Sequence, residues 1–580
     1  MADPGSGTRR PPNPTLERAA AILLIAGSVS LALDTLRTSA ATTDEPVHIA
    51  AGVESVREGT GRWNPEHPPL AKLLAGLALT GLDLRPPESP LDEGPTGPRL
   101  FRFLFENRTP GETILFRARL PFVGLLALLL LGVRALGRRL FGPAGGLLAL
   151  AFAALNPNLV AHAGVVQTDV AVTAFVLLSL GPLASLREPG DHLAAPLLGL
   201  LWGLAFLSKY SAPLLIVCLA PVALVAALQP AWRRTGLRAS VPRRIAGAIL
   251  VALLVVVSGF VFAYRNQSPE DRDAVAQDRL LTRGGSPESY RIASALGKIS
   301  GVAANVYIGP ESVRLQSRKG AGVNYFLGRV SIEGSPLYFP VALLVKTPLA
   351  LLLAALAGAV LSEGRRTGAA VAASLALYLA VSAGTTYNIG VRHLLFAFPL
   401  LSLLAAALAA GGRGLVRPVA AAGLFLALAA EVLPVHPFEM SFFNAAAGGA
   451  EGGRRFFADS NLDWGQDLRR LAFEAPGWSS DPIPSVVFGG DLPRRHPTLR
   501  PVAPGDEDRP GAVIALGEQP FAIGPELLRS KGSVRDAERL ARLREALSER
   551  GERVGSVGGS IGIWRIVRPP GAPPETRTPR

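Results

Sequence analysis

Apolar residues run along this chain in long blocks, divided by short polar loops in some places and by long mixed segments in others. The blocks fall near 19–36, 120–137, 144–157, 169–186, 193–207, 211–228, 245–264, 337–361, 369–384, 394–410 and 418–434. They predict roughly eleven membrane helices. Three segments are left outside the bilayer: 37–119, 265–336 and everything from 435 onward. A connection as long as 37–119 is uncommon without a role of its own. The last segment mixes strand-like pieces, Ser485-Val486-Val487-Phe488 and Ile561-Gly562-Ile563-Trp564-Arg565-Ile566, with a charged helical stretch at 534–550. It reads as a small α/β domain over 435–567. Residues 1–15 and 568–580 are polar and Pro-rich, which predicts disorder. The fold class is therefore a polytopic α-helical membrane protein with a C-terminal extracytoplasmic α/β domain.

Composition agrees: of 580 residues, 49% are hydrophobic and 18% charged, which excludes a single large soluble enzyme. The formal charge of +14 would suit nucleic acid, but the arginines sit in short loops between apolar blocks. Topology and anionic lipid explain them without a nucleic-acid partner. With the N-terminus inside, the cytoplasmic segments carry Arg9, Arg10 and Arg18; Arg134, Arg138 and Arg139; Arg187; Arg233, Arg234, Arg238, Arg243 and Arg244; Arg365 and Arg366; and Arg413 and Arg417. The short outside loops hold only Lys209 and Arg392. This bias predicts a multi-pass protein of the cell (inner) membrane with its long segments outside. The alternative for the first block is a signal peptide, since Ser39-Ala40-Ala41 follows it. One cysteine, Cys218, leaves no intrachain disulfide and no cysteine-based metal site.

Ionisable groups gather on the outside. Asp44, Glu45 and His48 have the spacing to share a helical face, where a carboxylate could deprotonate a hydroxyl nucleophile. The structural alternative is a helix start capped by Thr43, with two acids facing the helix dipole. Glu66 and His67 precede Pro68-Pro69, which hold them in a rigid turn ahead of Lys72. His48 and Glu66 could orient an acceptor or, with His67, hold a divalent metal, although no diagnostic ligand triad is present. Asp169 stands at the outer mouth of a span, where it or Thr168 could equally cap a helix. Lys209 and Arg392-His393 break the charge bias and so ask for an anionic partner such as a lipid phosphate; Lys346 would join them at the outer boundary. Snorkelling into ordinary lipid is the plain alternative.

The succession Asp44-Glu45, Asn64-Pro65-Glu66-His67-Pro68-Pro69-Leu70-Ala71-Lys72, Gln167-Thr168-Asp169, Leu207-Ser208-Lys209-Tyr210 and Gly390-Val391-Arg392-His393 resembles the GT-C superfamily of lipid-carrier-dependent glycosyltransferases. It is most similar to bacterial glycosyltransferase family 39, relatives of protein O-mannosyltransferases and of the lipid A aminoarabinose transferase. His436-Pro437, Ser441-Phe442-Phe443-Asn444 and the run Asp459 to Leu468 are similar to a stretch in bacterial members. The resemblance implies a GT-C fold over 16–434, interfacial helices in the first outside segment, and a polyprenyl-phosphate sugar as donor. It also implies a catalytic role for Asp44, with Glu45 beside it and Asp169 as the second acidic position. Lys209 matches a lysine near the donor phosphate, with Arg392, His393, Lys346 and His67 as further candidates; His67 stands where a lysine is found in the aminoarabinose transferase.

Such a reaction needs an apolar groove for the lipid, cations for the leaving phosphate and a carboxylate for the acceptor hydroxyl of a protein, lipid or glycan. No dinucleotide-binding glycine motif opens a βαβ unit here. The rival reading is a secondary membrane transporter, whose buried acids and bases would couple ions to a substrate. The long outside segments and the absence of an internal repeat weigh against it.

Overall fold

The computed structural model describes residues 14–92, 95–186, 188, 190–228, 241–318, 323–361, 365–409 and 416–567. Arg9, Arg10, Arg187, Arg233, Arg234, Arg238 and Arg413, and the terminal segments 1–13 and 568–580, lie outside the described residues. Residues 14 and 15 are helical, which shortens the expected disordered start.

Helices cover every apolar block. The first is α1 (Pro14–Thr38); three helices of the first outside segment follow, α2 (Glu45–Arg57), α3 (Pro69–Ala78) and α4 (Thr96–Phe105). Next come α5 (Gly111–Ala154), α6 (Pro157–Ala163), α7 (Asp169–Ser185), α8 (Ala194–Ser208), α9 (Ala212–Cys218) and α10 (Ala220–Leu228). Further helices span Val241–Ala263, Arg365–Ala383, Ala397–Ala406 and Val416–Val432. Among the described residues five helices are long and apolar enough to cross a membrane, and α7 and α8 are shorter apolar helices. Two expected boundaries move. The blocks 120–137 and 144–157 form one run, α5, broken at Gly142 (φ 79°), with Pro143 restarting the helix. The block 337–361 is two helices, Tyr338–Lys346 and Leu349–Val360, bent by 106° where Pro348 interrupts the backbone ladder.

Small residues set the closest approaches. Gly199 and Gly203, one turn apart on α8, face Val241–Ala263 so tightly that a Cβ at Gly199 would lie 2.3 Å from the Ala248 carbonyl oxygen. Gly52 on α2 and Gly76 on α3 do the same: a Cβ on either would lie 2.2 Å from a backbone oxygen of the other helix. This locks α2 against α3. At the opposite end of the bundle Glu17 pairs with Arg134 and Arg138, each at 2.8 Å, tying α1 to α5.

The second outside segment folds as helices Pro269–Ala276, Pro287–Ile299 and Gly301–Arg318 around Leu280, Ile308 and Leu315, followed by a hairpin of β1 (Asn324–Phe326) and β2 (Arg329–Ser331). The C-terminal sheet contains β3 (Ile483–Val486), β4 (Leu499–Pro501), β5 (Val513–Gly517), β6 (Gly551–Val557) and β7 (Ile561–Ile566) in the order β4-β3-β5-β7-β6. Strands β4, β3 and β5 are parallel, while β7 runs antiparallel to β5 and β6. One face packs Ile514, Leu516 and Ile566 on Leu540, Leu543 and Leu547 of the helix Val534–Arg550. The other packs Ile483, Ala515 and Ile563 on Leu468 and Leu471.

Candidate active site

The site starts where α1 hands over to α2. Pro46 in the first turn of α2 presets the helical backbone, and Asp44 occupies the N-cap position without a side-chain cap bond. Thr43 does not cap the helix, contrary to the plain reading of this stretch. The two acids then part company. Glu45 is fully buried: its Oε1 accepts from Arg119 Nε (2.7 Å) and Val166 N (3.0 Å), and its Oε2 from Arg119 Nη2 (2.6 Å), Thr42 N (2.9 Å) and Thr42 Oγ1 (3.2 Å). Arg119 also donates to the carbonyls of Leu36, Ser39 and Ala40. Every lone pair that could reach a substrate is taken, so Glu45 pins α1, α2, α5 and the segment before α7 together. Glu45 is expected from sequence in the catalytic set beside Asp44; in the structure its oxygens face scaffold donors.

Asp44 is instead one-third exposed, and its Oδ2 accepts from Arg392 Nη1 at 2.8 Å. Arg392 lies over the Trp464 ring, 4.5 Å from its centre, which fixes the plane of the guanidinium. A second pair lies alongside. Lys209 donates to Asp169 and its Nζ is 3.5 Å from His393 Nδ1. Neither Thr168 nor Asp169 caps α7 by its side chain; the Asp169 amide is held by Gln167 Oε1 at 2.8 Å. Four of the expected residues, Asp44, Asp169, Lys209 and Arg392, thus form two acid–base pairs, with His393 beside them.

Three histidines are kept neutral around these pairs. The His48 and His67 rings lie 5.1 Å apart. Burial pushes His48 down to about 4 despite the opposing pull of Asp44. Burial also lowers His67 and His393 well below the ordinary histidine range, helped for His393 by Lys209. His48 Nδ1 and His393 Nε2 are buried without a protein partner, so both offer polar atoms to a ligand.

Other expected residues are engaged elsewhere. Glu66 pairs with Arg279 of the second outside segment at 3.4 Å. Lys72 donates to the carbonyls of Asn64 and His67, both at 2.8 Å, and so holds the turn that carries Glu66-His67. Among the described residues no group of three His, Cys, Asp or Glu side chains gathers as a metal site. Lys346 is fully buried, donates to Met440 O (2.8 Å) and Asn461 O (2.6 Å), and lies over the Phe443 ring. Expected from sequence in the phosphate set, it donates in the structure to protein carbonyls.

The run Asp459 to Asp467, known from sequence only as part of a resemblance, joins the two halves of the molecule. Ser460 Oγ donates to Ile389 O (2.6 Å), and Asn461 Oδ1 accepts from Val391 N (2.7 Å), which docks this run on the Arg392 segment. Asp463 accepts from Gln519 N (3.1 Å) in the first turn of the helix Glu518–Ser530, and Asp467 from Ser560 Oγ (2.6 Å) beside β7. Backbone bonds from Ala40 N to Gln466 O (2.8 Å) and Thr43 N to Trp464 O (3.2 Å) tie it to the Asp44 segment, and Gly490 N, after β3, donates to Ala41 O (3.0 Å). Arg119, Trp464 and Asp459 were not singled out from sequence. The signal for Arg119 was a cation at the outer end of an apolar block, against the charge bias.

Residues 111–260, from the start of α5 nearly to the end of Val241–Ala263, match the family model described as dolichyl-phosphate-mannose-protein mannosyltransferase. The matched segment is 150 of the chain's 580 residues. No curated protein matches. Among solved structures the chain is similar to the oligosaccharyltransferase of Archaeoglobus fulgidus in the apo form (15% identity, 72% of this chain, 55% of that chain, TM-score 0.43), and so spans about half its length. It is also similar to ArnT from Cupriavidus metallidurans bound to undecaprenyl phosphate (14%, 94% and 98%, TM-score 0.33) and to arabinosyltransferase EmbB from Mycobacterium smegmatis (13%, 77% and 44%, TM-score 0.28).

Proposed function

We propose that this protein transfers a sugar from a polyprenyl-phosphate donor to an acceptor hydroxyl of a protein, lipid or glycan, on the extracytoplasmic side and with inversion at the sugar. The observation that carries the reading is the 2.8 Å pair between Asp44 and Arg392 beside the pair Asp169–Lys209. Two carboxylates and two cations thus meet where the start of α2, the start of α7, the end of α8 and the segment before Ala397–Ala406 come together, while the neighbouring Glu45 is locked into the scaffold. The donor class draws on the description of the matching family, which names dolichyl-phosphate-mannose, a sugar carried on a lipid phosphate.

In this reaction Arg392 and Lys209 take the donor phosphate, the arginine as a planar hydrogen-bonding fork and the lysine as a point charge. As Arg392 turns to the phosphate, the Asp44 carboxylate is released toward the acceptor. Asp44 accepts the hydroxyl proton, the acceptor oxygen forms its bond to the anomeric carbon from the opposite face, and the bond from that carbon to the phosphate oxygen breaks. The electron pair leaves with the polyprenyl phosphate, whose growing charge the two cations stabilise. His48, His67 and His393 line the site as neutral hydrogen-bonding groups.

Incubating the purified protein with polyprenyl-phosphate-[14C]mannose and membrane extract tests this directly. The reading requires released polyprenyl phosphate together with label on an acceptor. Uptake of label into sealed vesicles without release would support a transporter and overturn it.

A further inference from the structure

The hairpin of β1 and β2 closes through a two-residue loop, Leu327-Gly328, whose φ values are 52° and 76°. A turn of this kind follows the twist of its strands and favours Asn-Gly or Gly-Gly, because both central residues take the left-handed backbone. Leucine is strained there. Packing within the protein does not offset that strain, since Leu327 is 50% exposed at the tip. The apolar surface continues past the turn. Val330 is exposed on β2, Ile332 just after it is 64% exposed, and Leu337 is 61% exposed ahead of the helix Tyr338–Lys346.

That helix shows which solvent the patch meets. It leads into Leu349–Val360, which consists only of Leu, Ala, Gly and Val and packs in the bundle against Ala397–Ala406. With Leu349–Val360 among the membrane helices, the 106° bend lays Tyr338–Lys346 near the membrane plane. Its one charged residue, Lys346, is buried with Tyr338, Phe339, Ala342 and Leu343, whereas Leu337 and Leu344, seven positions apart on one face, are exposed. A helix that buries its lysine and exposes its leucines faces lipid. The hairpin is fastened both to this helix and to the site. The Phe326 ring lies 5.6 Å from Tyr338 and 5.6 Å from Phe457, and Leu327 N donates to Phe456 O (3.0 Å). Just beyond Phe457, Ser460 and Asn461 dock on the Arg392 segment.

We propose that the hairpin and the exposed face of Tyr338–Lys346 form one interfacial anchor, whose partner is the lipid surface beside the site. Leu327, Val330, Ile332, Leu337 and Leu344 sit at the boundary of headgroups and acyl chains, and Arg329, exposed next to the turn, reaches up to the lipid phosphates. Burial of Leu327 in lipid offsets the strain of its backbone, as burial in protein does not. Through Phe456 and Phe457 the anchor sets the depth at which Arg392 stands relative to the lipid phosphates. The inference goes beyond the donor reading and holds whatever the lipid carries.

Fluorescence quenching of the full-length protein in phosphatidylcholine nanodiscs tests the anchor. An environment-sensitive dye is placed on Leu327→Cys and, separately, on Ile332→Cys; wild type, whose single Cys218 is buried, is the labelling blank. Val534→Cys, exposed at the start of the helix Val534–Arg550, is the water-facing reference. Both hairpin dyes should lose emission to a phosphatidylcholine carrying a nitroxide near its glycerol and stay insensitive to aqueous iodide, while the dye at 534 shows the reverse. Ile332 lies outside the strained turn, so its variant decides the question if Leu327→Cys does not fold. Iodide quenching as strong as at 534 would overturn the anchor. Protection from both quenchers would overturn it too, since protein would then cover the hairpin. Neither result touches the donor reading, because the assay contains no donor.

Discussion

Replacing Glu45 with glutamine isolates the structural half of the acidic pair. The carboxylate accepts five hydrogen bonds, two of them as a fork from Arg119, and both partners are sealed from solvent (0% and 1% side-chain exposure). An amide of the same shape keeps one acceptor oxygen and points an NH2 group at donors that need an acceptor. It also strips the counter-charge from a buried guanidinium. Removing one partner of a buried ion pair costs about 3–5 kcal/mol. The Arg119 bonds to Leu36, Ser39 and Ala40 survive but do not neutralise its charge. Thermal unfolding of detergent-purified protein, followed by tryptophan fluorescence, should show Glu45→Gln unfolding well below wild type. Glu45→Met with Arg119→Met should cost less than Glu45→Gln alone, because no unpaired charge is left behind. If Glu45→Gln unfolds with wild type yet loses transfer, Glu45 is a chemical group and the division of labour between the two acids is wrong.

Other substitutions separate the cations. Arg392→Ala removes a charge-assisted contact worth about 1.5–3 kcal/mol, so affinity for undecaprenyl phosphate should fall about tenfold or more at unchanged expression. Wild-type binding in both Arg392→Ala and Lys209→Ala would sink the phosphate assignment. Lys346→Met leaves the Met440 and Asn461 carbonyls without their donor and should cost about 1–3 kcal/mol for each group left unsatisfied, while folded protein keeps its donor affinity. A selective loss of donor binding in Lys346→Met would return that lysine to the site. Reporter fusions after residue 434 should be active only as extracytoplasmic reporters; activity as a cytoplasmic reporter would place the site on the wrong side.

How much of this was legible in the sequence follows from the range of the forces involved. Apolar blocks announce helices because burial in lipid is a property of the block itself, and each predicted block does lie on a helix. Breaks in the helical run are less visible in hydropathy. Gly142-Pro143 restarts the helix within α5, whereas Pro348 marks a turn of 106° inside a single apolar block. Asp44 and Glu45 are adjacent and chemically alike, and the placement of Arg119, 74 residues on from Glu45, locks Glu45 into the scaffold while Asp44 pairs with Arg392. Lys346 and Arg392 were equally anomalous by charge, but the carbonyls that absorb Lys346 belong to Met440 and Asn461, far along the chain. The same holds for Asp459, whose neighbourhood is built from segments distant in sequence. Pairings of this kind are set by tertiary contact, which local spacing does not encode.

The central claim is that Asp44 accepts the acceptor proton, and a single-turnover transfer assay on purified Asp44→Asn protein preloaded with donor tests it most directly. Asparagine keeps the size of the side chain and can still accept from Arg392, but it cannot take the proton. Loss of a positioned base costs about 10²–10⁴ in rate, so the transfer step should slow by that factor while donor loading persists. Transfer at the wild-type rate would contradict the account and shift the search for the base to Asp169.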